Sequence, residues 1–353
     1  MGETFFVESL ALRRPTFSSR DLRRIWRRLR GARPASAARA VPEGVSVLSP
    51  KVLPFHEGLA RPLNAILLKH TVRQWRKSGK HKVLWAYSPL TYGLAEEADL
   101  VVYHCVDLLG KVAGISESLI AREEQKLART AQVAIASSAI VRSHLESAGF
   151  QETKLWPNVA DVDQILEAQT KAKSREKNAA IFAGNITPGK INFELLHEVM
   201  EAGADLHLAG PVGEDGTRGR IELDKLIARG ATYHGVLDYP SLSRLYWECS
   251  VGLIPYEINE YTRGVSPLKT FEYLAAGLEV VSTKIPSVIP VADDVHVART
   301  EAEFSSLVQA ALERSGEERT EARLRVALAN SWTGRGTEAR DLLTGLFRSA
   351  VEL

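Results

Sequence analysis

From Val83 onward, short apolar runs alternate with amphipathic runs of helical period, and the series occurs twice. In the first series Val83–Ser88, Leu100–Val106 and Val133–Ser137 read as strands, while Pro89–Glu97, Ser116–Thr130 and Ala139–Ala148 read as helices. Lys154–Trp156 closes it at the turn Pro157-Asn158. A polar, Lys-rich stretch without apolar period, 168–178, reads as a linker. The series then restarts. Its strands are expected at 180–183, 206–209, 232–234, 251–255, 280–283 and 296–298, and its helices at 193–202, 220–228, 240–249, 266–276 and 301–314. Helical stretches at 317–330 and 336–349 follow.

Apolar strands joined by helices build parallel sheets covered on both faces, so the class is α/β. Two series mean two doubly wound, Rossmann-like domains. The expected division is 1–167, the linker 168–178, and 179–330, with a C-terminal helix in 331–353 crossing back to the first domain. Ligands of such folds sit beyond the C-terminal ends of the strands. In the second series those ends carry Gly184-Asn185-Ile186-Thr187-Pro188-Gly189-Lys190, Gly210-Pro211 and Pro255-Tyr256.

Thr4–Leu10 reads as a strand ahead of both series. In 19–30, Leu22, Ile25, Trp26 and Leu29 line one helical face and arginines occupy most of the rest. That helix either docks on the body of the protein, lies on an anionic membrane surface, or binds nucleic acid. No nucleic-acid motif accompanies it, so nucleic acid is not expected as a partner. The net charge of +2 hides an asymmetry: residues 1–82 hold 18 Lys+Arg against 5 Asp+Glu, a balance of +13. A basic front on an acidic body implies an anionic partner at the front.

No apolar run approaches the length of a membrane span, and the N-terminus has no apolar signal core. The expected location is cytoplasmic, with a peripheral position on the inner face of the membrane open through the basic front. Cys105 and Cys249 lie far apart in apolar contexts and read as buried reduced thiols.

One segment points to chemistry: Arg263-Gly-Val-Ser-Pro-Leu-Lys-Thr-Phe-Glu-Tyr-Leu-Ala-Ala-Gly277. Ser266 suits an N-cap, Pro267 a first helical position and Gly277 a stop. Lys269 and Arg263 then put positive charge beside the positive end of a helix, which is unfavourable unless an anion binds there. Glu272, one turn beyond Lys269, offers a carboxylate suited to a sugar diol. A nucleoside diphosphate fits that arrangement; an ordinary surface Lys–Glu pair is the plain alternative.

Residues 180–283 resemble the C-terminal, nucleotide-sugar-binding domain of GT-B glycosyltransferases, and in particular bacterial enzymes of polysaccharide and teichuronic acid assembly. The likeness is carried by Phe182-Ala-Gly-Asn185, His207-Leu-Ala-Gly-Pro211, Val251-Gly-Leu-Ile-Pro-Tyr256 and the Ser266–Gly277 segment. The first half resembles the acceptor domain through Leu84-Trp-Ala-Tyr-Ser-Pro89, Val102-Tyr-His-Cys-Val-Asp107 and Ala136-Ser137. The resemblance implies two domains facing across a cleft and transfer of a hexose or uronic acid from a nucleotide diphosphate sugar, UDP by default. The acceptor would be a glycan, a lipid-linked sugar or a small molecule. By position, Glu272 would grip the donor ribose. Lys269, Arg263 and the amides after Ser266 would cradle the diphosphate, with Gly184, Asn185 and Lys190 as a second wall. Asp107 would be the general base, and His104 a second candidate for that role, for positioning the acceptor, or for a plain core histidine. No cofactor or metal is expected, because cations take the phosphate charge.

The pattern departs in three places. Gly264 stands where many retaining relatives carry a glutamate, which favours inversion. Ala-Gly-x-Pro becomes Ala-Gly-Leu-Glu279, expected to be a harmless surface change. The chain also starts at what matches the family's second strand, so the first domain is expected to lack one βα unit. Asp161-Val-Asp163 imitates a metal-binding Asp-x-Asp but is expected to cap a helix, and His234 and His296 read as structural. Two other classes stay open: a nucleotide-sugar epimerase of this architecture, and a non-catalytic nucleotide-sugar-binding partner subunit.

Overall fold

The computed structural model describes residues 2–13, 41–213, 218–291, 293, 295–314 and 320–351. The expected basic helix at 19–30 lies outside the described residues. The chain divides into two compact units, one of residues 1–136 with 141–155 and one of 137–140 with 156–353.

In unit 1, β1 (Thr4–Val7) pairs in parallel with β2 (Val45–Leu48). The expected strand to Leu10 is thus shorter, and β2 was not expected. A run absent from the sequence reading follows, the helices α1 (Ala60–Thr71) and α2 (Arg73–Lys77). A separate four-stranded parallel sheet has the order β3-β4-β5-β6, from Val83–Ala86, Leu100–Cys105, Val133–Ala136 and Thr153–Leu155. β5 is buried along its whole length, and only His104 of β4 is less than buried, as continuous apolar runs require. The helix expected at 89–97 does not form. Tyr92 and Gly93 take left-handed backbone angles (φ 53° and 84°), which breaks a right-handed helix, and only the 3₁₀ turn Ala95–Glu97 remains.

Helix α3 (Glu117–Leu127) starts where Ser116 accepts the Leu119 amide. It buries two carboxylates, each with partners. Glu123 takes both arms of the Arg61 guanidinium at 2.8 and 2.7 Å. Glu124 accepts from the Tyr103 hydroxyl at 3.0 Å and from His144 Nε2 at 2.8 Å; His144 lies on α4 (Ala139–Ser147). The hydrogen bond to Glu124 raises the His144 pKa above 6.5, ahead of the opposing effect of burial. A histidine whose pKa is raised by folding contributes stability that is full below about pH 6.5 and disappears as pH rises through the higher folded value. Thermal melts across that range should therefore show wild type losing its advantage over His144→Gln as the buffer turns alkaline. A constant difference would sink the assignment.

Unit 2 holds a six-stranded parallel sheet of order β12-β11-β10-β7-β8-β9. The strands are β7 (Ala179–Ala183), β8 (Asp205–Ala209), β9 (Thr232–Tyr233), β10 (Val251–Ile254), β11 (Glu279–Thr283) and β12 (His296–Ala298). Its helices are α5 (Val162–Gln169), α6 (Phe193–Glu201), α7 (Arg218–Ala228), α8 (Tyr239–Glu248), α9 (Glu260–Gly264), α10 (Lys269–Ala275), α11 (Glu301–Arg314), α12 (Thr320–Ala329) and α13 (Trp332–Val351). The strand order reverses between β7 and β10, which places the ligand crevice of such a sheet at the ends of those two strands.

The segment 168–178, expected as a linker, belongs to unit 2. The Glu176 amide donates to the Glu248 carbonyl at 2.8 Å, and Arg175 donates to the carbonyls of Ala276 and Gly277 while lying over the Trp247 ring. Backbone amides and the Arg175 side chain tie the segment down, so absence of apolar period did not mean a free connector. Asp161 caps α5 by accepting the Gln164 amide at 3.3 Å, and Asp163 accepts from the Thr333 hydroxyl. The Asp-x-Asp is thus a helix start. Burial pushes the thiols of Cys105 and Cys249 up to about 12, so both are inert core residues.

Candidate donor-nucleotide site

The site is assembled on unit 2 from the loops after β7, β8 and β9 and from α9–α10 after β10. The loops lie backbone against backbone. The Gly184 amide donates to the Ala209 carbonyl at 2.8 Å, Gly210 to Gly235 at 2.7 Å, and Ile186 to Pro211 at 2.9 Å. A side chain at Gly210 would sit 2.0 Å from the Gly184 carbonyl oxygen, so only glycine permits this approach.

Tyr273 seats α10 on the sheet. Its hydroxyl accepts the Ala183 amide at the end of β7, 3.0 Å away. Its ring fills the space over Gly252, where an added Cβ would come within 2.4 Å of it. One residue earlier, Glu272 is only 3% exposed. Its Oε2 accepts from the Tyr246 hydroxyl at 3.0 Å and from Lys269 Nζ at 3.2 Å. Burial, then the Glu272 charge, pushes the Tyr246 and Tyr239 phenols up, so both stay protonated against the carboxylate at neutral pH. Neither tyrosine stood out in the sequence; no local spacing links α8 to α10.

Lys269 also reaches the β7 loop. Its Cε lies 3.6 Å from where a Cβ on Gly184 would stand. Further along, Asn259 Nδ2 donates to the Gly189 carbonyl at 2.6 Å, and the Glu257 amide to the Lys190 carbonyl at 2.9 Å. Lys190 Nζ lies 4.9 Å from the centre of the Tyr256 ring. Asn185 is exposed, as is Arg263 in the last turn of α9. Thus Gly184, Asn185, Lys190, Arg263, Lys269 and Glu272 all belong to elements that leave the C-terminal ends of β7 and β10.

Ser266 differs from expectation. The helix begins at Lys269, with Leu268 before it and no side-chain cap. Ser266 is buried instead, its Oγ accepting the Asn158 amide at 3.2 Å and its carbonyl accepting Asn158 Nδ2 at 2.7 Å. With that hydroxyl occupied, the entry turn closes through Thr270 to Pro267 and Phe271 to Leu268 bonds of 3.1 Å. The helix has seven residues, fewer than the three turns expected, so side-chain cations rather than a long helix dipole dominate the positive charge here. Glu279 also departs: it is buried at the start of β11, bonded to Arg323 and His296, and is no surface residue. His234 pairs with His207 at 2.9 Å.

Unit 1 brings His104 and Asp107 to the C-terminal end of β4. The indole N–H of Trp85 donates to His104 Nδ1 at 3.3 Å, and the Tyr87 ring lies 5.0 Å from the imidazole centre. An indole nitrogen can only donate, so the neutral imidazole carries its proton on Nε2. Asp107 is half-buried, and its backbone carbonyl accepts the Cys105 thiol at 3.2 Å.

Solved structures share this architecture along nearly the whole chain. HepE of Anabaena in complex with UDP and glucose matches with TM-score 0.68 and 15% identity, over 98% of this chain and 100% of that one. The fold is that of the GT-B glycosyltransferases. Sucrose-phosphate synthase of Thermosynechococcus elongatus matches with TM-score 0.68 and 13% identity, over 99% of this chain and 100% of that one. WaaG, described as a glycosyltransferase involved in lipopolysaccharide biosynthesis, matches at 0.61 and 14%, over 97% and 100%. In sequence the chain is 26% identical over 207 residues to TuaH of Bacillus subtilis (strain 168), whose name assigns it provisionally to teichuronic acid biosynthesis as a glycosyltransferase. That match covers 54% of this chain and 51% of TuaH, about half the length of each. No family model matches the chain.

Proposed function

We propose that the protein is a glycosyltransferase moving a hexose or uronic acid from a nucleotide diphosphate sugar, UDP by default, to a glycan, lipid-linked or small-molecule acceptor. The observation that carries this reading is the junction at the switch point of unit 2, where the buried Glu272, held by Tyr246 and Lys269, meets the glycine loop after β7. Glu272 offers a carboxylate to the ribose diol. Lys269, Lys190 and Arg263 offset the charge that grows on the leaving diphosphate, which removes the need for a metal ion. The UDP complex of HepE and the transferase names of the other relatives support the donor class.

In the reaction, the acceptor hydroxyl gives its proton to the Asp107 carboxylate as its oxygen bonds to the anomeric carbon. The bond from that carbon to the phosphate oxygen breaks, and the nucleoside diphosphate leaves with the electron pair. Gly264, at the position of the earlier glutamate of retaining relatives, eight residues before Glu272, favours inversion. The +13 balance of residues 1–82 supports a position at an anionic membrane surface, where lipid-linked acceptors are found.

The test is to incubate the protein with UDP-sugars, with and without a panel of acceptors, and to follow UDP release and sugar products. Acceptor-dependent UDP release supports the reading. A changed sugar nucleotide formed from donor alone would replace it with epimerisation, and donor binding without turnover with a partner role.

A further inference from the structure

Helix α1 turns an apolar stripe outward. Leu59, Leu63 and Ile66 fall at i, i+4 and i+7 on one face and are 95, 44 and 66% exposed, with Phe55 just ahead at 45%. The rotation of the helix is fixed from its other side. The Asn64 side chain is fully buried, donating to the carbonyls of Leu53 and Phe55 at 3.0 and 2.8 Å and accepting the Leu53 amide at 2.7 Å. Leu68 is buried too, and Arg61 is clamped to Glu123. The stripe therefore cannot roll into the core without breaking these bonds.

The same segment is basic. Residues 58–82 carry seven Lys+Arg and no Asp or Glu. Arg61 pairs with Glu123, Lys69 and Arg76 pair with Glu97, and Lys82 lies over the Trp75 ring. Arg73, Lys77 and Lys80 are exposed and make no ion pair among the described residues. An apolar stripe continued by cations of one sign matches a surface that is hydrocarbon below and anionic above.

We infer that this face of α1 and the basic run after it form the membrane contact of unit 1. Leu59, Leu63 and Ile66 enter the headgroup–acyl boundary of an anionic bilayer, and Arg73, Lys77 and Lys80 lie among its headgroups. The inference rests on the membrane location proposed above and names the surface that achieves it.

Sedimentation of the full chain with vesicles tests it, using equimolar phosphatidylcholine and phosphatidylglycerol against pure phosphatidylcholine. Wild type should bind the mixed vesicles and not the neutral ones. The double variant Leu63→Asp, Ile66→Asp should lose about tenfold or more in partitioning. Arg73→Glu with Lys77→Glu should lose about fivefold per charge removed, and more for the reversal. These side chains are exposed, so circular dichroism and UDP-induced melting shifts should match wild type; should one variant fail to fold, the other decides. Wild type that ignores mixed vesicles would overturn both the membrane location and this face, leaving an acidic protein as the partner chemistry. Wild type that binds, with both variants binding equally well, would overturn the face alone.

Discussion

Replacing Glu279 by alanine is expected to lower the stability of unit 2 by about 3–5 kcal/mol, the usual cost of stranding one member of a buried ion pair. Glu279 is 7% exposed and accepts from Arg323, which is itself 4% exposed. Arg323 NH1 also donates to the Gly277 carbonyl at 3.0 Å, and Arg175 donates to the same carbonyl at 3.2 Å. Two cations thus converge on the C-terminal end of α10, and Glu279 supplies the compensating charge. Without it, the Arg323 guanidinium keeps its desolvation cost; burial, then the charge of Arg175, already lowers its pKa. Glu279→Gln keeps an acceptor and should cost less. Replacing Glu279 and Arg323 together by leucine should recover much of the loss, since an apolar pair carries no stranded charge. Urea denaturation of the four proteins measures this. A loss below about 1 kcal/mol for Glu279→Ala would mean that the pair is solvated in solution. Because α10 carries Lys269 and Glu272, loosening its C-terminal anchor should also weaken donor binding.

At the other end of α10, Lys269 and Glu272 should fail in different ways when removed. Lys269→Ala takes away the cation proposed to meet the leaving diphosphate and should reduce kcat/KM by about 10²–10³-fold, the scale of one lost transition-state contact. Glu272→Ala removes hydrogen bonds from a charged acceptor, worth about 1.5–3 kcal/mol, or roughly 10- to 150-fold in nucleotide affinity. The two effects separate by ligand. The lysine variant should lose affinity for UDP and little for uridine, while the glutamate variant should lose it for both. Isothermal titration with each ligand reads the difference. Equal losses for UDP and uridine in Lys269→Ala would remove the phosphate role from that side chain.

Much of unit 2 could be read from sequence because its information is local. The apolar runs at 180–183, 206–209, 251–255 and 280–283 fall on β7, β8, β10 and β11 within one residue at each end, and the helix expected at 301–314 is α11. A fully buried parallel strand announces itself as an unbroken apolar run. What stayed hidden depends on partners far away in the chain. Ser266 looked like a cap because Ser-Pro before a helical period is a cap signal, yet its hydroxyl is taken by an amide 108 residues away. Glu279 looked exposed because a glutamate usually is, yet Arg323 of α12 and His296 of β12 close over it. The polar stretch 168–178 looked like a linker because its fixing bonds run to Glu248, Ala276 and Gly277. Helix α1 escaped notice for a different reason. Leu59, Leu63 and Ile66 face outward while Leu68 is buried, the buried face is centred on a polar Asn64, and period alone could not identify the helix.

If the start of α10 and the glycine loop after β7 hold a nucleotide diphosphate, free nucleotide must stabilise the fold. A thermal-shift titration of wild type and Glu272→Ala with UDP, GDP and TDP, without added metal, reads that stabilisation. Wild type should be stabilised by one of the three, by about 2.7 kcal/mol at a concentration of 100 times the dissociation constant, and the variant should lose most of that shift. A wild type indifferent to all three nucleotides would leave Lys269 and Glu272 as a structural ion pair with no nucleotide between α10 and the glycine loop.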